Sequence, residues 1–154
     1  NNEVKICQKQ TTITRQMQPA ISQQLHGMCG QSTELNQMYT KYTHQKRNIT
    51  LIIDESPETE TTNKYTLTTI TPFSNEIVPE TNVLIQQSNI SSVTGDAHGF
   101  VHSLGFAPSY TWVERGELFV QDSIKIKVFN VCNCDGEKID PDNVVVSVEA
   151  TSQI

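Results

Sequence analysis

The sequence predicts a mainly β protein: an antiparallel β-sandwich preceded by a short helical or irregular N-terminal segment. Residues 65–70 and 118–131 alternate between apolar and polar side chains with a period of two, which is the pattern of a β-strand. Compact apolar runs at 49–53, 83–85 and 144–148 are separated by polar segments rich in turn residues. The many Thr residues favour strands, while Asn and Ser favour turns. These patterns together indicate several short strands in one sheet system.

The first 47 residues are the hardest part of the chain to assign. Two sets of apolar residues recur at helical spacing: Ile13, Met17, Ile21, Leu25 and Met28, and then Leu35, Met38, Tyr39 and Tyr42. Pro19 interrupts the first set and would break a helix unless it lay in the first turn. Short helices and irregular strands both stay open for residues 1–47, and the spacing slightly favours helices.

The stretch 104–131 has the most ordered pattern in the chain. A Gly-aromatic segment and a short aromatic segment lead to Arg115-Gly116, which we predict to be a turn before a long strand at 118–131. In that strand Ile124, Ile126 and Val128 share one face while Lys125 and Lys127 share the other. This arrangement predicts a sheet with one face in water.

The length and charge limit the classes of protein that fit. A chain of 154 residues predicts one domain, residues 1–154, with 1–47 as a lead-in and 132–154 as a C-terminal extension. A net charge of -6 argues against nucleic acid as the partner. No apolar run approaches the roughly 20 residues that span a bilayer, so we predict no membrane-spanning segment.

Candidate catalytic and metal-binding residues are few. His98 and His102 would form a site only if their segment were helical, and Gly95 and Gly99 favour a loop. The whole polar segment 88–99 is predicted to be a connecting loop. Ser103 follows the histidines but lacks the G-x-S-x-G frame of a nucleophile. The sequence therefore predicts a protein that is not an enzyme, with no cofactor and no metal site.

The stretch 104–128 resembles the C-terminal part of the MATH (meprin and TRAF homology, TRAF-C-like) domain, in which similar segments lead into a final strand. The matching residues are Leu104-Gly105-Phe106, Tyr110-Thr111-Trp112-Val113, Gly116 and Leu118 to Val128. Residues 49–53 and 64–68 are similar to two earlier strands of that family, so the resemblance covers 48–131. The only tryptophan is Trp112, whereas the family usually has one in its first strand.

The resemblance implies a cytoplasmic adaptor that binds a short extended peptide by β-augmentation on an exposed sheet edge. The positions that match the family's peptide-binding residues are Ser91, Ser92, Ser103, Gly105 and Phe106. The partner would be a protein or peptide. Adaptors of this kind often trimerise, so homo-oligomerisation stays open.

The alternative is an extracellular adhesion or surface-protein β-sandwich. Cys7, Cys29, Cys132 and Cys134 are enough for two disulfides, although free thiols are equally ordinary. Two glycosylation sequons begin at Asn48 and Asn89. A glycan at Asn89 would obstruct the peptide groove proposed beside Ser91 and Ser92, so the two hypotheses exclude each other there.

Overall fold

The fold, over the residues that the structure describes, consists of nine strands and two short helices. The computed structural model describes residues 3–54, 64–70, 76–78 and 83–153, and it describes side chains over 4–54 and 89–152. The elements in chain order are β1 (Glu3–Thr14), a single 3-10 turn (Arg15–Met17), α1 (Gln18–Cys29), β2 (Thr33–His44), β3 (Arg47–Asp54), β4 (Lys64–Ile70), β5 (Glu76–Val78), β6 (Val83–Thr94), α2 (Ala97–Ser103), β7 (Ala107–Gln121), β8 (Ile124–Cys132) and β9 (Asn143–Gln153).

All strand pairs are antiparallel, and the sheet closes on itself. Its order is β1-β9-β8-β7-β2-β3-β4-β6, and β6 returns to pair with β1 from Glu3↔Asn89 to Gln8↔Leu84. The short strand β5 adds to the beginning of β6. The predicted mainly β, antiparallel class with a short N-terminal helix is confirmed. Because the sheet curls until it closes, its opposite sides face each other across a shared lumen.

Helix α1 packs on the outside of the closed sheet. A core cluster lies there, which we call the α1 cluster. It consists of Phe119, Val128 and Val144, all at most 1% exposed. Leu25 and Cys29 of α1 pack against that cluster. Burying side chains of this size stabilises the fold by about 1.5–3 kcal/mol each, so the outer face of β7, β8 and β9 is a main source of stability.

Helix α2 covers a second outer cluster, on β2 and β3, which we call the α2 cluster. Ala97 and Val101 are completely buried against Tyr42 and Leu51. Asp96 caps the helix, since its Oδ1 accepts a hydrogen bond from the Gly99 amide at 3.0 Å. Both helices therefore lie outside the sheet and seal its apolar outer surface.

The N-terminal region is partly helical and partly strand. The helical spacing of Ile21, Leu25 and Met28 is confirmed by α1, and Pro19 lies in its first turn, where proline is tolerated. Ile13 belongs instead to β1 and packs from there against the α1 cluster. The helical preference for the set from Leu35 to Tyr42 is wrong, because pairing with β3 and β7 on both sides makes this segment the strand β2.

Three other expectations about the elements need correction. Arg115-Gly116 is no turn: β7 runs straight through it, and the chain reverses at Asp122, whose φ is +53°. Residues 88–99 form no long loop, because they are divided between β6 and α2. The last strand is no appendage, since β9 pairs with β1 on one side and with β8 on the other.

All four cysteines are free thiols, which corrects the expectation of disulfides in the extracellular alternative. No helix in the described part of the chain is long and apolar enough to cross a bilayer.

Candidate functional site: the lumen of the closed sheet

The closed sheet surrounds a lumen of about 880 Å³. Strand alternation decides which side chains enter it. On β8, Lys125 and Lys127 line the lumen, whereas Ile126 and Val128 pack outward in the α1 cluster. The two predicted faces of this strand are therefore real, but the polar face is the inner one.

Three aromatic side chains of β2 and β7, namely Tyr39, Tyr110 and Trp112, line one side of the lumen, and we call them the aromatic wall. The rings of Tyr39 and Trp112, on directly paired positions, are stacked with centroids 5.1 Å apart and planes within 8°. Tyr110 continues the wall, with its centroid 5.1 Å from that of Trp112. Cross-strand pairs of this kind stabilise the sheet, and the rings are held in fixed positions as a result.

The Tyr39 hydroxyl makes two hydrogen bonds in the lumen. It donates to Gln37 Oε1 at 2.9 Å and accepts from Lys127 Nζ at 3.3 Å. Burial, and then the negative charge of Glu114, raise the pKa of Tyr39 far above the ordinary 10.0. Tyr39 is thus held as a neutral phenol.

Charged side chains are placed around this wall. The Lys41 ammonium lies 5.4 Å from the ring centroid of Tyr110, a cation–π distance. Glu114 Oε2 accepts a hydrogen bond from Trp112 Nε1 at 3.1 Å, and Glu149 Oε1 accepts one from Gln8 Nε2 at 3.3 Å. Both carboxylates are therefore used to order neighbouring side chains.

The histidines do not form the site considered from the sequence. His98 and His102 do lie on one helix, α2, contrary to the expected loop. His98 Nδ1 is 2.6 Å from the hydroxyl of Tyr42, a residue of the α2 cluster. This contact lies on the outer side of the sheet and not in the lumen. Within the described residues, no group of three or more His, Cys, Asp or Glu side chains is placed to hold a metal ion.

The residues matched to a peptide groove are spread over two elements and the following loop. Ser91 and Ser92 lie on β6, paired with Leu67 and Thr66 of β4. The Ser103 hydroxyl, at the end of α2, donates to the Phe100 carbonyl at 2.6 Å.

The Gly-aromatic pair follows α2 directly. Gly105 has φ +93°, a conformation that favours glycine, and lies beside the His44 ring. Phe106 packs against the α2 cluster, which gives it a structural role.

The two sequon asparagines also lie on strands. Asn48 belongs to β3 and lines the lumen. Asn89 lies on β6, where it pairs with both Glu3 and Thr69. Glycosylation at these positions stays a prediction from the sequons alone.

The lumen side chains were missed as a site by the sequence reasoning. The alternation that places Lys125 and Lys127 together was visible, but it was assigned to an outer face in water. No local signal shows that β6 returns to β1, so the inner side of the sheet could not be recognised.

The fold and the lumen define a class: proteins built on a closed, eight-stranded antiparallel sheet, with charged and aromatic side chains in its lumen and helices outside. A family model described as "Med18 protein" matches residues 76–153, just over half of the chain. The chain belongs to the Med18 protein family. No curated protein sequence matches the chain.

Solved structures share the fold at low sequence identity. A chain in the structure of the Schizosaccharomyces pombe Mediator head module matches with a TM-score of 0.78 and 12% identity, over 97% of this chain and 83% of that one. The Mimivirus capping enzyme triphosphatase matches with a TM-score of 0.62 and 8% identity, over 100% of this chain and 83% of that one. The PH1819 protein of Pyrococcus horikoshii OT3 matches with a TM-score of 0.61 and 13% identity, over 99% of this chain and 79% of that one. At such identities these likenesses show the fold alone.

The family assignment corrects the two functions inferred from the sequence. The resemblance to MATH domains is wrong, because the family model that matches this chain is Med18. The extracellular adhesion alternative is wrong because the matching family is Med18. All four cysteines are free thiols, so the disulfides expected for that alternative are not formed. The residues that resembled a MATH closing strand are common strand residues, which explains how the resemblance arose.

Proposed function

We propose that this chain is a non-catalytic protein subunit of the Mediator head module. The observation behind the proposal is the agreement of two independent comparisons. The Med18 family model matches residues 76–153, and a chain in the S. pombe Mediator head module shares the fold over 97% of the length. A subunit of this complex acts in the nucleus, in transcription, and its partners are other proteins of the assembly.

The outer surface supports a role in protein contacts. Phe100 of α2 and Leu104, which caps the C-terminal end of that helix, are four residues apart and are 50% and 52% exposed. At this spacing they lie next to the face that carries the buried Ala97 and Val101, at the edge of the α2 cluster. Neighbouring exposed apolar side chains of this size are typical of protein interaction surfaces. We define Phe100 and Leu104 as the α2 ridge and take it as a contact surface for another subunit.

The non-catalytic part of the proposal is supported by how the lumen carboxylates are used. Glu114 and Glu149, the acidic residues among its described side chains, each accept a hydrogen bond from a neighbouring side chain. They act there as ordering groups for Trp112 and Gln8. The likeness to a triphosphatase concerns the fold and adds no activity to this proposal.

The test is purification of the tagged chain from nuclei of its native cells, followed by mass spectrometry of the proteins that accompany it. We expect components of the Mediator head module in near-stoichiometric amounts, and none of them in a purification without the tag. Absence of those components from the tagged purification would overturn the proposed function.

The α2 ridge is tested separately. Phe100→Ser/Leu104→Ser should lower the recovery of at least one partner several-fold. Val120→Ser/Ile124→Ser is the matched control, because it removes two apolar side chains that are also exposed, 49% and 40%, at the β7–β8 turn. Circular dichroism confirms that both variants fold. If the ridge variant recovers every partner in full, the α2 ridge is not a contact surface. That result would not contradict the proposal that the chain belongs to the Mediator head module.

A further inference from the structure

The lumen is basic although the protein as a whole is acidic. Four lysines line it, namely Lys41, Lys46, Lys125 and Lys127, while its described carboxylates are Glu114 and Glu149. The chain has a net charge of -6 and 11 Lys and Arg residues in total. More than a third of its positive side chains therefore face one cavity, where they outnumber the described negative ones two to one.

The lumen lysines form no ion pair within 4.0 Å among the described residues, although Lys125 pairs in register with Glu149 of β9. Among the described residues the ion pair within 4.0 Å is His26–Glu117, on the outer surface. Lys127 donates to the neutral Tyr39 hydroxyl, and Lys41 faces the Tyr110 ring. Ammonium groups that share a cavity repel one another, and that repulsion is relieved when an anion enters.

We propose that the lumen binds a small ligand that carries several negative charges on phosphate groups. Lys125 and Lys127 project into it from positions roughly 7 Å apart along β8, as the rise of a strand requires. Two neighbouring ammonium groups can contact different phosphate groups of one condensed phosphate, which a single monovalent ion does not offer. The volume, about 880 Å³, falls within the range of roughly 300–1,000 Å³ that is usual for small-ligand sites.

The type of cation is compatible with phosphate. Lysine binds phosphate as a point charge, whereas arginine pairs with carboxylates and phosphates through two parallel hydrogen bonds. None of the three arginines, Arg15, Arg47 and Arg115, lines the lumen. The aromatic wall of Tyr110 and Trp112 adds a surface on which a base could stack, so the ligand could be a nucleotide or an inorganic condensed phosphate.

Trp112 gives a direct readout, because it is the only tryptophan and lies in the lumen. The purified chain is titrated with inorganic tripolyphosphate, with ATP and with citrate, following tryptophan fluorescence and, in parallel, the heat of binding. We expect saturable binding of tripolyphosphate that weakens as salt is raised, and at least tenfold weaker binding of citrate. ATP separates the two sources: tighter binding than tripolyphosphate indicates a nucleotide, and equal or weaker binding indicates an inorganic phosphate chain.

Variants locate the site. Lys125→Gln/Lys127→Gln should weaken tripolyphosphate binding by about tenfold or more, as expected when hydrogen bonds to a charged group are lost. Lys5→Gln/Lys9→Gln changes the net charge equally, but on exposed β1 positions outside the lumen, and should bind as the unaltered chain does. Because Lys127 also contacts Tyr39, Lys46→Gln/Lys125→Gln serves as a second lumen variant without that contact.

The proposal is overturned by any of three results: no saturable heat or fluorescence change with tripolyphosphate or ATP, equal affinity for citrate, or equal losses in the lumen and β1 variants. Each of these results leaves the Mediator proposal untouched, since that proposal rests on the family match and on the outer surface.

Discussion

The hydroxyl of Tyr42 lies 2.6 Å from Nδ1 of His98, a contact that ties strand β2 to helix α2. The two residues are far apart in the chain, and Tyr42 is only 6% exposed. The hydrogen bond therefore forms where water has little access, between the sheet and the helix that covers it.

Replacing Tyr42 by phenylalanine should lower the free energy of unfolding by about 0.5–1.5 kcal/mol, the usual net worth of a hydrogen bond. The measurement is urea denaturation followed by circular dichroism. Tyr110→Phe is the control, because that side chain is 53% exposed and its hydroxyl can be hydrated. Equal effects of the two substitutions would show that the contact with His98 contributes nothing.

Gly116 should be intolerant of any side chain because β7 and β8 approach closely there. A Cβ at this position would collide with the carbonyl oxygen of Val128 and lie 2.7 Å from the Cα of Phe129, and both are backbone atoms. We expect Gly116→Ala to destabilise the protein by roughly 1–3 kcal/mol, as other overpacking changes do.

Gly27→Ala is the matched control for that substitution, because nothing lies within 4 Å of its Cβ position inside α1. It should leave stability unchanged or raise it by up to about 1 kcal/mol, since alanine is the better helix former. Thermal denaturation compares the two variants, and similar melting temperatures would contradict the expected clash.

Tyr39 should make the protein sensitive to alkali. Its pKa is raised in the folded state above the 10.0 of an exposed tyrosine, chiefly by burial. The stabilisation is therefore fully present below pH 10 and is lost progressively as the pH rises above that value, because the unfolded chain ionises first. Tyr39→Phe should flatten the fall in the free energy of unfolding above pH 10.

The measurement is urea denaturation of both proteins in steps from pH 9 upward, combined with the ultraviolet absorbance of tyrosinate. In the folded protein, at least one of the four tyrosines should stay protonated until the chain unfolds. The pKa assignment fails if both proteins lose stability with the same slope.

Two neighbours on β7 should differ sharply in their tolerance of truncation. Phe119 is completely buried under α1, whereas Val120 is 49% exposed on the opposite face of the same strand. Phe119→Ala should cost about 3–5 kcal/mol, through lost burial and a cavity. Val120→Ala should cost less than about 1 kcal/mol. Denaturation midpoints decide, and comparable losses would mean that α1 does not seal this face.

Local patterns in the chain predict several of the strands but not the partners with which those strands pair. The apolar run 49–53 and the alternation of 124–128 were recognised because a strand's two faces are a property of consecutive residues. The reversal at Asp122 was missed, and Arg115-Gly116 was preferred for a turn because glycine usually marks one. Here glycine meets a different need, the close approach of β8, and that need comes from a residue on another strand.

The candidate site shows the same division. Lys125, Lys127 and Trp112 are each distinctive in the sequence, but nothing in the residues around them indicates that they share a cavity. Tyr39 was placed on a helix by its spacing and became part of β2 because strands on both sides hydrogen-bond to it. The family itself was mistaken, because common strand residues occur in many unrelated β proteins.

The sequence by itself determined the mainly β class, the helical spacing of Ile21, Leu25 and Met28, and the two-faced character of β8, since each depends on neighbours along the chain. Only the tertiary structure decided that the lysine face is the inner one. That outcome depends on the return of β6 to β1, which closes the sheet, and on α1 and α2, which cover its apolar outer surface. Closure is a contact between segments distant in the chain, so no local pattern of residues encodes it.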